Sequence, residues 1–162
     1  RDLKPQNILL TGSERKLIAK VTDYGLSKNF DKAGWSGMTM TGDVAGTVPF
    51  MPRDQVRNFK YAKPPVDVWS MGATFYNLLT GEFPRDFAPR KDPILQVLQN
   101  PVVPVRKRDS SIPKGVADVI DTALSDDVKN RYQDGGEMLA ALEQALGDAS
   151  PGNTGPERFW YD

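Results

Sequence analysis

Two short polar motifs near the start of the 162-residue chain carry the side chains that could perform chemistry, DLKPQN at 2–7 and DYG at 23–25. Asn7 and Asp23 supply two oxygen ligands for a hard divalent cation that carries phosphates. Asp2 is a carboxylate that could accept the proton of an attacking hydroxyl. Lys4 could neutralise charge on a group in transfer, because phosphoryl transfer depends mostly on positioning and charge compensation. Either motif alone is weak evidence, since Asp-x-Lys is common on surfaces and Asp-Tyr-Gly is common in turns.

The composition excludes several other kinds of chemistry. The chain has no cysteine and no histidine, so thiolate metal sites, disulfides, cysteine nucleophiles and a histidine general base are all excluded. Catalysis must therefore depend on carboxylates, lysine, arginine, tyrosine or hydroxyls, and a metal should be a hard ion such as Mg²⁺. Lys plus Arg and Asp plus Glu both number 21, so no net charge favours nucleic acid as a partner. We expect no membrane segment, and the lack of cysteine fits a cytoplasmic protein.

Two predicted strands lie directly after the first motif. Ile8–Leu10 and Leu17–Val21 are short apolar runs separated by the turn sequence TGSE. The stretch from Asp23 to Val48 has no sustained periodicity and is rich in Gly, Ser and Thr. Such a long loop is usually either functional or disordered.

The rest of the chain is predicted to be helical. Val66–Leu79 is apolar nearly all round, as in a buried central helix, and is bounded by Pro64-Pro65 and Gly81. A shorter helix is expected over Pro93–Leu98. An amphipathic helix is indicated by apolar spacing at Val116, Val119, Ile120, Ala123 and Leu124, and a last helix by Met138, Leu142 and Leu146.

The motifs RDLKPQN, DYG, GTVPFM and DVWSMG, in this order, resemble the protein kinase family from its catalytic loop onward. The resemblance covers Arg1 to about Leu146, and Lys4 followed by Pro5 is typical of the Ser/Thr branch. The compact segments are similar to those of bacterial or other eukaryotic-like kinases. The implied fold is mainly α: a kinase C-lobe at 1–147, a helical bundle around a buried central helix with a small catalytic β-hairpin. Residues 148–162 would form a C-terminal tail.

The resemblance implies roles for the polar residues. Asp2 would be the catalytic base, Lys4 would contact the transferring phosphate, and Asn7 and Asp23 would bind Mg²⁺ and its ATP. These groups should face one cleft, with the Asp2 carboxylate unobstructed. Thr47 would hydrogen-bond toward Asp2 and Lys4 and shape the substrate-docking loop.

Other residues would have regulatory or structural roles. Arg1 would pair with a phosphate on the activation segment, where Ser36, Thr39 and Thr41 are candidate acceptors, although loop polarity alone also explains them. Asp67 would bond to the backbone of the catalytic loop and fix it.

The chain departs from the family pattern at two places. Tyr24 replaces the usual phenylalanine and adds a hydroxyl that needs a partner if buried. Pro52-Arg53-Asp54 stands where Ala-Pro-Glu is usual, and Asp54 has one methylene less reach than glutamate. We expect an Asp54–Arg131 ion pair, partly buried, in which loss of one partner would cost ~3–5 kcal/mol.

The resemblance also implies partners. The glycine-rich loop, the strand lysine and the adenine-binding hinge have no counterpart in the sequence, so an N-lobe, on the same or a separate chain, would be a partner. We expect negligible kinase activity from this chain alone, protein substrates, and self-association through the exposed lobe interface. The alternative is a pseudokinase-like or truncated lobe that serves as a protein-binding scaffold.

Five further sites favour plain structural interpretations. Trp35 and Trp69 are expected to be packing residues, and Gly135-Gly136 to be a loop. Val105–Asp109 should be a solvated connection. The final Phe159-Trp160-Tyr161 is expected to pack on the domain, with an interaction motif as the alternative.

Overall fold

The computed structural model describes residues 2–13, 16–23, 46–58 and 63–149. Within these ranges the chain forms an antiparallel hairpin of β1 (Ile8–Ser13) and β2 (Lys16–Val21), followed by helices. The helices are α1 Arg53–Arg57, α2 Pro65–Thr80, α3 Pro93–Gln99, α4 Val105–Arg108, α5 Lys114–Ala123 and α6 Gly135–Ala149. Short 3₁₀ turns cover Pro5–Asn7, Val48–Phe50 and Val128–Asn130. The predicted mainly α fold is confirmed.

The central helix α2 follows its sequence pattern closely. Pro65 is its first residue, where the missing N–H costs nothing, and Gly81 ends it in a left-handed conformation with φ of +72°. Its buried residues include Val66, Trp69 and Tyr76. The last turn differs from the prediction, because Leu79 is 49% exposed rather than packed.

Packing of α5 and α6 against α2 builds most of the core. Trp69 is fully buried, as predicted for a packing residue, and its indole Nε1 donates to the carbonyl of Leu124 at 3.2 Å. Gly72 allows the close approach of α2 to α5, since a Cβ there would lie 2.9 Å from that of Ala123. On α6, Met138 is buried as predicted, whereas Leu146 is 52% exposed.

Two predicted connections are in fact helical. Gly135-Gly136 are the first residues of α6, because Asp134 Oδ1 accepts from the Glu137 N–H at 2.9 Å and caps the helix start. Val105–Arg108 is helix α4 rather than a solvated connection: Val105 is fully buried and Arg108 pairs with Asp86.

Some of the remaining predictions fall on residues that the structure does not describe. Trp35 and Phe159-Trp160-Tyr161 lie outside the described residues. Helix α6 runs to Ala149, across the predicted boundary between 1–147 and 148–162, so the division into lobe and tail stays a prediction. None of the helices in the described ranges is both long and apolar enough to cross a membrane.

Candidate active site

The catalytic candidates meet where the loop at residues 2–7 enters β1. The Lys4 ammonium donates to the Thr47 hydroxyl at 2.6 Å and lies 3.4 Å from Asp2 Oδ2. Asn7 Nδ2 donates to Asp2 Oδ2 at 2.9 Å and to the Asp2 carbonyl at 2.8 Å. The structure therefore brings four of the predicted residues, Asp2, Lys4, Asn7 and Thr47, into one hydrogen-bonded group, which we call the catalytic cluster.

The loop backbone is fixed by a 3₁₀ turn and by the hairpin. The Asn7 amide donates to the Lys4 carbonyl at 3.0 Å, which closes the turn over Pro5–Asn7. The Asn7 carbonyl in turn accepts from the Thr22 amide at 2.8 Å and from the Thr22 hydroxyl at 3.2 Å. Asn7 is buried, so its side chain is held in place before any ligand binds.

The hairpin register places Asp23 at the same end as Asn7. Ile8 pairs with Val21, so Asn7 and Thr22 adjoin at the end of the ladder and Asp23 follows directly. Asp23 is exposed and has a φ of +60°, in the left-handed region that few residues other than glycine adopt. Strained backbone of this kind is concentrated at functional sites.

The donor set at this end of the hairpin fits Mg²⁺. Because Asn7 Nδ2 donates to Asp2, the Asn7 amide oxygen is the atom left for a cation, and Asp23 adds a carboxylate. The described residues contain no group of three or more acidic, histidine or cysteine side chains that could hold a metal. Two protein oxygens suit Mg²⁺, which commonly takes one or two side-chain ligands and completes its octahedron with phosphates and water.

The accessibility of Asp2 differs from the prediction. Its Oδ1 is closed to solvent and has no hydrogen-bond partner among the described residues. The expected unobstructed carboxylate is therefore not seen in this conformation. A substrate hydroxyl would reach Oδ1 only after its surroundings move, whereas Oδ2 is already engaged by Asn7 and Lys4.

The remaining predicted residues divide into three groups. Asp67 lies in the first turn of α2 and lines the same cavity as Leu3 of the catalytic loop, which agrees with a scaffold position. The predicted Asp54–Arg131 ion pair is present, with Arg131 Nη2 2.9 Å from Asp54 Oδ1. The four regulatory candidates and Tyr24 lie outside the described residues; the four are Arg1, Ser36, Thr39 and Thr41.

The guanidinium of Arg131 is enclosed by the protein and bonded on several sides. Its side chain is fully buried, and it donates to the Ser125 carbonyl at 3.1 and 3.0 Å and to the Pro65 carbonyl at 2.9 Å. The Asp54 side chain is 33% exposed. The shorter aspartate thus reaches the arginine, and the predicted lack of reach has no consequence for the pair.

A second set of charges next to this pair was not predicted from the sequence. Arg53 Nη1 lies 2.9 Å from Asp126 Oδ2, and Asp126 Oδ1 also accepts from Arg85. The guanidinium of Arg85 lies 4.8 Å from the ring centre of Trp69. Burial lowers the pKa of Arg85 to about 10, although the Asp126 carboxylate opposes that shift. The sequence signal for this set was limited to the unusual Arg53, because nothing local identifies its partner.

Comparison with known proteins agrees with this fold and site. The chain belongs to the protein kinase family: the model described as "Protein kinase domain" matches residues 1–145. A probable serine/threonine-protein kinase of Clostridium perfringens, CPE1738, is 30% identical over 91% of this chain and 21% of that protein. The probable serine/threonine-protein kinase PknB of Lactococcus lactis is 31% identical over 86% of the chain and 21% of its own length. The chain therefore spans about a fifth of these relatives.

A solved structure is also similar. The crystal structure of the Rad53 kinase domain and SCD2 in complex with AMPPNP superposes with a TM-score of 0.61 at 26% identity. The superposition covers 96% of this chain and 52% of the Rad53 chain. The fold is thus that of part of a kinase domain, in agreement with the resemblance found in the motifs.

Proposed function

We propose that this chain forms the C-lobe of a protein serine/threonine kinase, which transfers the γ-phosphate of ATP to Ser or Thr hydroxyls of a protein substrate. The observation that carries the proposal is the catalytic cluster, in which a carboxylate, an ammonium and an amide are held by one another. The relatives named as serine/threonine kinases and the AMPPNP complex of Rad53 support the choice of reaction and of ATP as donor.

Asp2 and Lys4 have different roles in the proposed reaction. Asp2 accepts the proton of the substrate hydroxyl, and its orientation is fixed by the two hydrogen bonds from Asn7. Lys4 stabilises negative charge on the phosphoryl group in transfer, and its ammonium is directed by Thr47. Because these groups are buried or half-buried, their electrostatic effect on the reacting atoms is larger than it would be in water.

Asn7 and Asp23 are proposed to hold Mg²⁺, with ATP as the second source of ligands. When bound, the ion would neutralise charge on the phosphates and orient them. The contribution of this chain is to fix Asn7 through the Thr22 contacts and to present the Asp23 carboxylate at the adjoining position.

The proposal includes a requirement for an N-lobe. The sequence contains no G-x-G-x-x-G motif that could cover the phosphates. The hairpin also presents apolar side chains to solvent on both faces, with Leu10 and Leu17 on one and Leu9 and Ile18 on the other. A two-stranded hairpin is at best marginally stable alone in water, so this surface suits a covering lobe.

The test compares the chain alone with the same chain joined to the N-lobe of a serine/threonine kinase relative. We expect ATP-dependent phosphorylation of Ser- and Thr-containing peptides by the joined protein, abolished by chelation of Mg²⁺. The chain alone should show none. Robust transfer by the chain alone would contradict the requirement for the N-lobe, and absence of transfer and of Mg·ATP binding in the joined protein would contradict the kinase proposal.

A second candidate function is a protein-binding scaffold. The closed Oδ1 of Asp2 and the exposed apolar hairpin favour it. Its partner would cover the hairpin, and a second copy of the chain is one form that this partner could take. Two measurements together distinguish the two functions. The scaffold predicts a stable complex of the purified chain in sedimentation and no Mg·ATP binding by the joined protein, whereas the kinase predicts that the joined protein binds Mg·ATP.

A further inference from the structure

Helix α1 begins with Arg53 and Asp54, and each of them pairs with a residue of opposite charge later in the chain. Arg53 contacts Asp126 at 2.9 Å, and Asp54 contacts Arg131 at 2.9 Å. Both partners lie in the connection between α5 and α6. Because like charges would meet if the two contacts were exchanged, this arrangement admits one register of α1 against that connection.

All three guanidinium nitrogens of Arg53 make polar contacts. Its Nε donates to the Val97 carbonyl at 3.0 Å and its Nη2 donates to the Asn100 carbonyl at 2.7 Å, while Nη1 faces Asp126. Arg53 thus joins α1 to the end of α3 and to the α5–α6 connection. A lysine could not make these contacts together, since its ammonium is a single point charge on a flexible stem.

Arg85 completes this arrangement from the side of the central helix. It shares the Asp126 carboxylate and the Asn100 carbonyl with Arg53, and its Nε lies 3.0 Å from that carbonyl. Its guanidinium carbon lies over the Trp69 ring, 4.8 Å from the ring centre. We call Arg53, Asp126 and Arg85 the second brace, and the Asp54–Arg131 pair the first brace.

Both braces hold one end of a segment whose other end carries Thr47. Residues 46–57, the docking segment, run from the catalytic cluster to α1. Between these ends, Ser70 Oγ donates to the Phe50 carbonyl at 2.8 Å. Val48, Met51 and Val56 pack on Val97. The segment contacts the catalytic cluster through Thr47, whereas Asn7 is held from the other side by Thr22, at the end of the hairpin where Asp23 follows.

We propose that Arg53 is a positioning residue for the protein substrate, acting with Asp126 and Arg85 to hold the docking segment against the lobe so that Thr47 stays bonded to Lys4. This inference rests on the proposed function. It adds that Arg53 and Asp54, at the family's Ala-Pro-Glu position, anchor the docking segment through both braces. The second brace affects peptide binding rather than ATP binding.

The test uses the joined protein described above, with Arg53→Met as the main variant. We expect the KM for a peptide substrate to rise about tenfold while the KM for ATP stays within about twofold. Arg53→Lys should recover part of the loss, because it keeps the charge opposite Asp126. Asp126→Asn, which keeps the size but only one of the two acceptor oxygens, should shift the same constant in the same direction by less. Asp118→Asn is the control, since its pair with Lys114 is exposed on α5.

An activity-free measurement separates this inference from the kinase proposal. In the chain itself, hydrogen exchange at the amides of residues 46–57 should be faster in Arg53→Met than in the wild type, with α5 and α6 unchanged. If the joined protein transfers no phosphate, the kinase proposal fails while this measurement still tests the brace. Equal rises in both KM values, or a uniform change in exchange across the chain, would show that Arg53 is merely structural and would overturn the proposal.

Discussion

Removal of the Asp54 carboxylate should leave Arg131 as a buried cation without a counter-charge. Because the Arg131 side chain is fully buried, Asp54→Ala should destabilise the chain markedly. Complete loss of one partner in a buried pair costs about 3–5 kcal/mol. Here Asp54 is 33% exposed and Arg131 keeps its contacts with two carbonyls, so water and backbone compensate in part. We expect a loss of about 2–3 kcal/mol in the free energy of unfolding, the value of a charge-assisted hydrogen bond.

The partner variant should cost more. Arg131→Met removes the contact with Asp54 and leaves the Ser125 and Pro65 carbonyls without this donor. We expect about 3–5 kcal/mol. The double variant isolates the pair itself, and its coupling energy should be about 1–2 kcal/mol, as for residues in direct contact.

Urea unfolding is the suitable assay, because the midpoint and the m-value are obtained together. The midpoint should fall in each variant while the m-value stays constant, which shows that stability rather than the denatured state has changed. Asp118→Ala is the matched control: its partner is Lys114, the two side chains are 59% and 75% exposed, and the expected cost is about 0–0.5 kcal/mol. If Asp54→Ala costs no more than this control, or the coupling energy is zero, the assigned role of the pair is wrong.

Two further predictions concern packing and pH. Gly72→Ala should cost about 1–3 kcal/mol of stability because its Cβ would meet that of Ala123 at 2.9 Å. Gly147→Ala has open space around it and should stabilise α6 by up to about 1 kcal/mol. Thermal unfolding measures both changes, and equal effects would contradict the assigned packing. Burial raises the pKa of Asp121, so the contribution of this group to stability is present at low pH and is lost as pH rises through the raised pKa. Asp121→Asn still accepts from the Val105 amide. The variant should therefore be more stable than the wild type at pH 7, and the difference should disappear toward pH 4. Urea unfolding at the two pH values measures the difference in free energy of unfolding between variant and wild type. A difference that does not vary with pH would show that the charge of the buried Asp121 carboxylate is not its cause.

Local patterns were enough to predict the central helix and the hairpin. The apolar surface of α2 and the flanking Pro65 and Gly81 are sequence signals with direct physical effects on a helix, and the observed bounds differ by one residue at each end. The start of helix α6 also has a local signal, although a loop was expected there. Asp134 followed by Glu137 is a capping pattern, which outweighs the low helix propensity of two glycines at the first turn.

Remote charge pairs could not be predicted in the same way. Asp54–Arg131 was predicted because the family pattern names both positions. Arg53–Asp126 connects residues that no periodicity or motif relates, and it is visible only when α1 and the α5–α6 connection are packed together. The burial of Asp2 Oδ1 likewise depends on tertiary packing, and it was wrongly expected to be open.

The central claim is that Asp2 accepts the proton of a substrate hydroxyl. Single-turnover transfer from ATP to a Ser peptide by the joined protein, compared between the wild type and Asp2→Asn, tests it most directly. Asparagine can keep the contact with Asn7 but cannot take the proton, so the rate should fall about 10²–10⁴-fold with ATP binding unchanged. A rate within about threefold of the wild type, with intact ATP binding, would contradict the account.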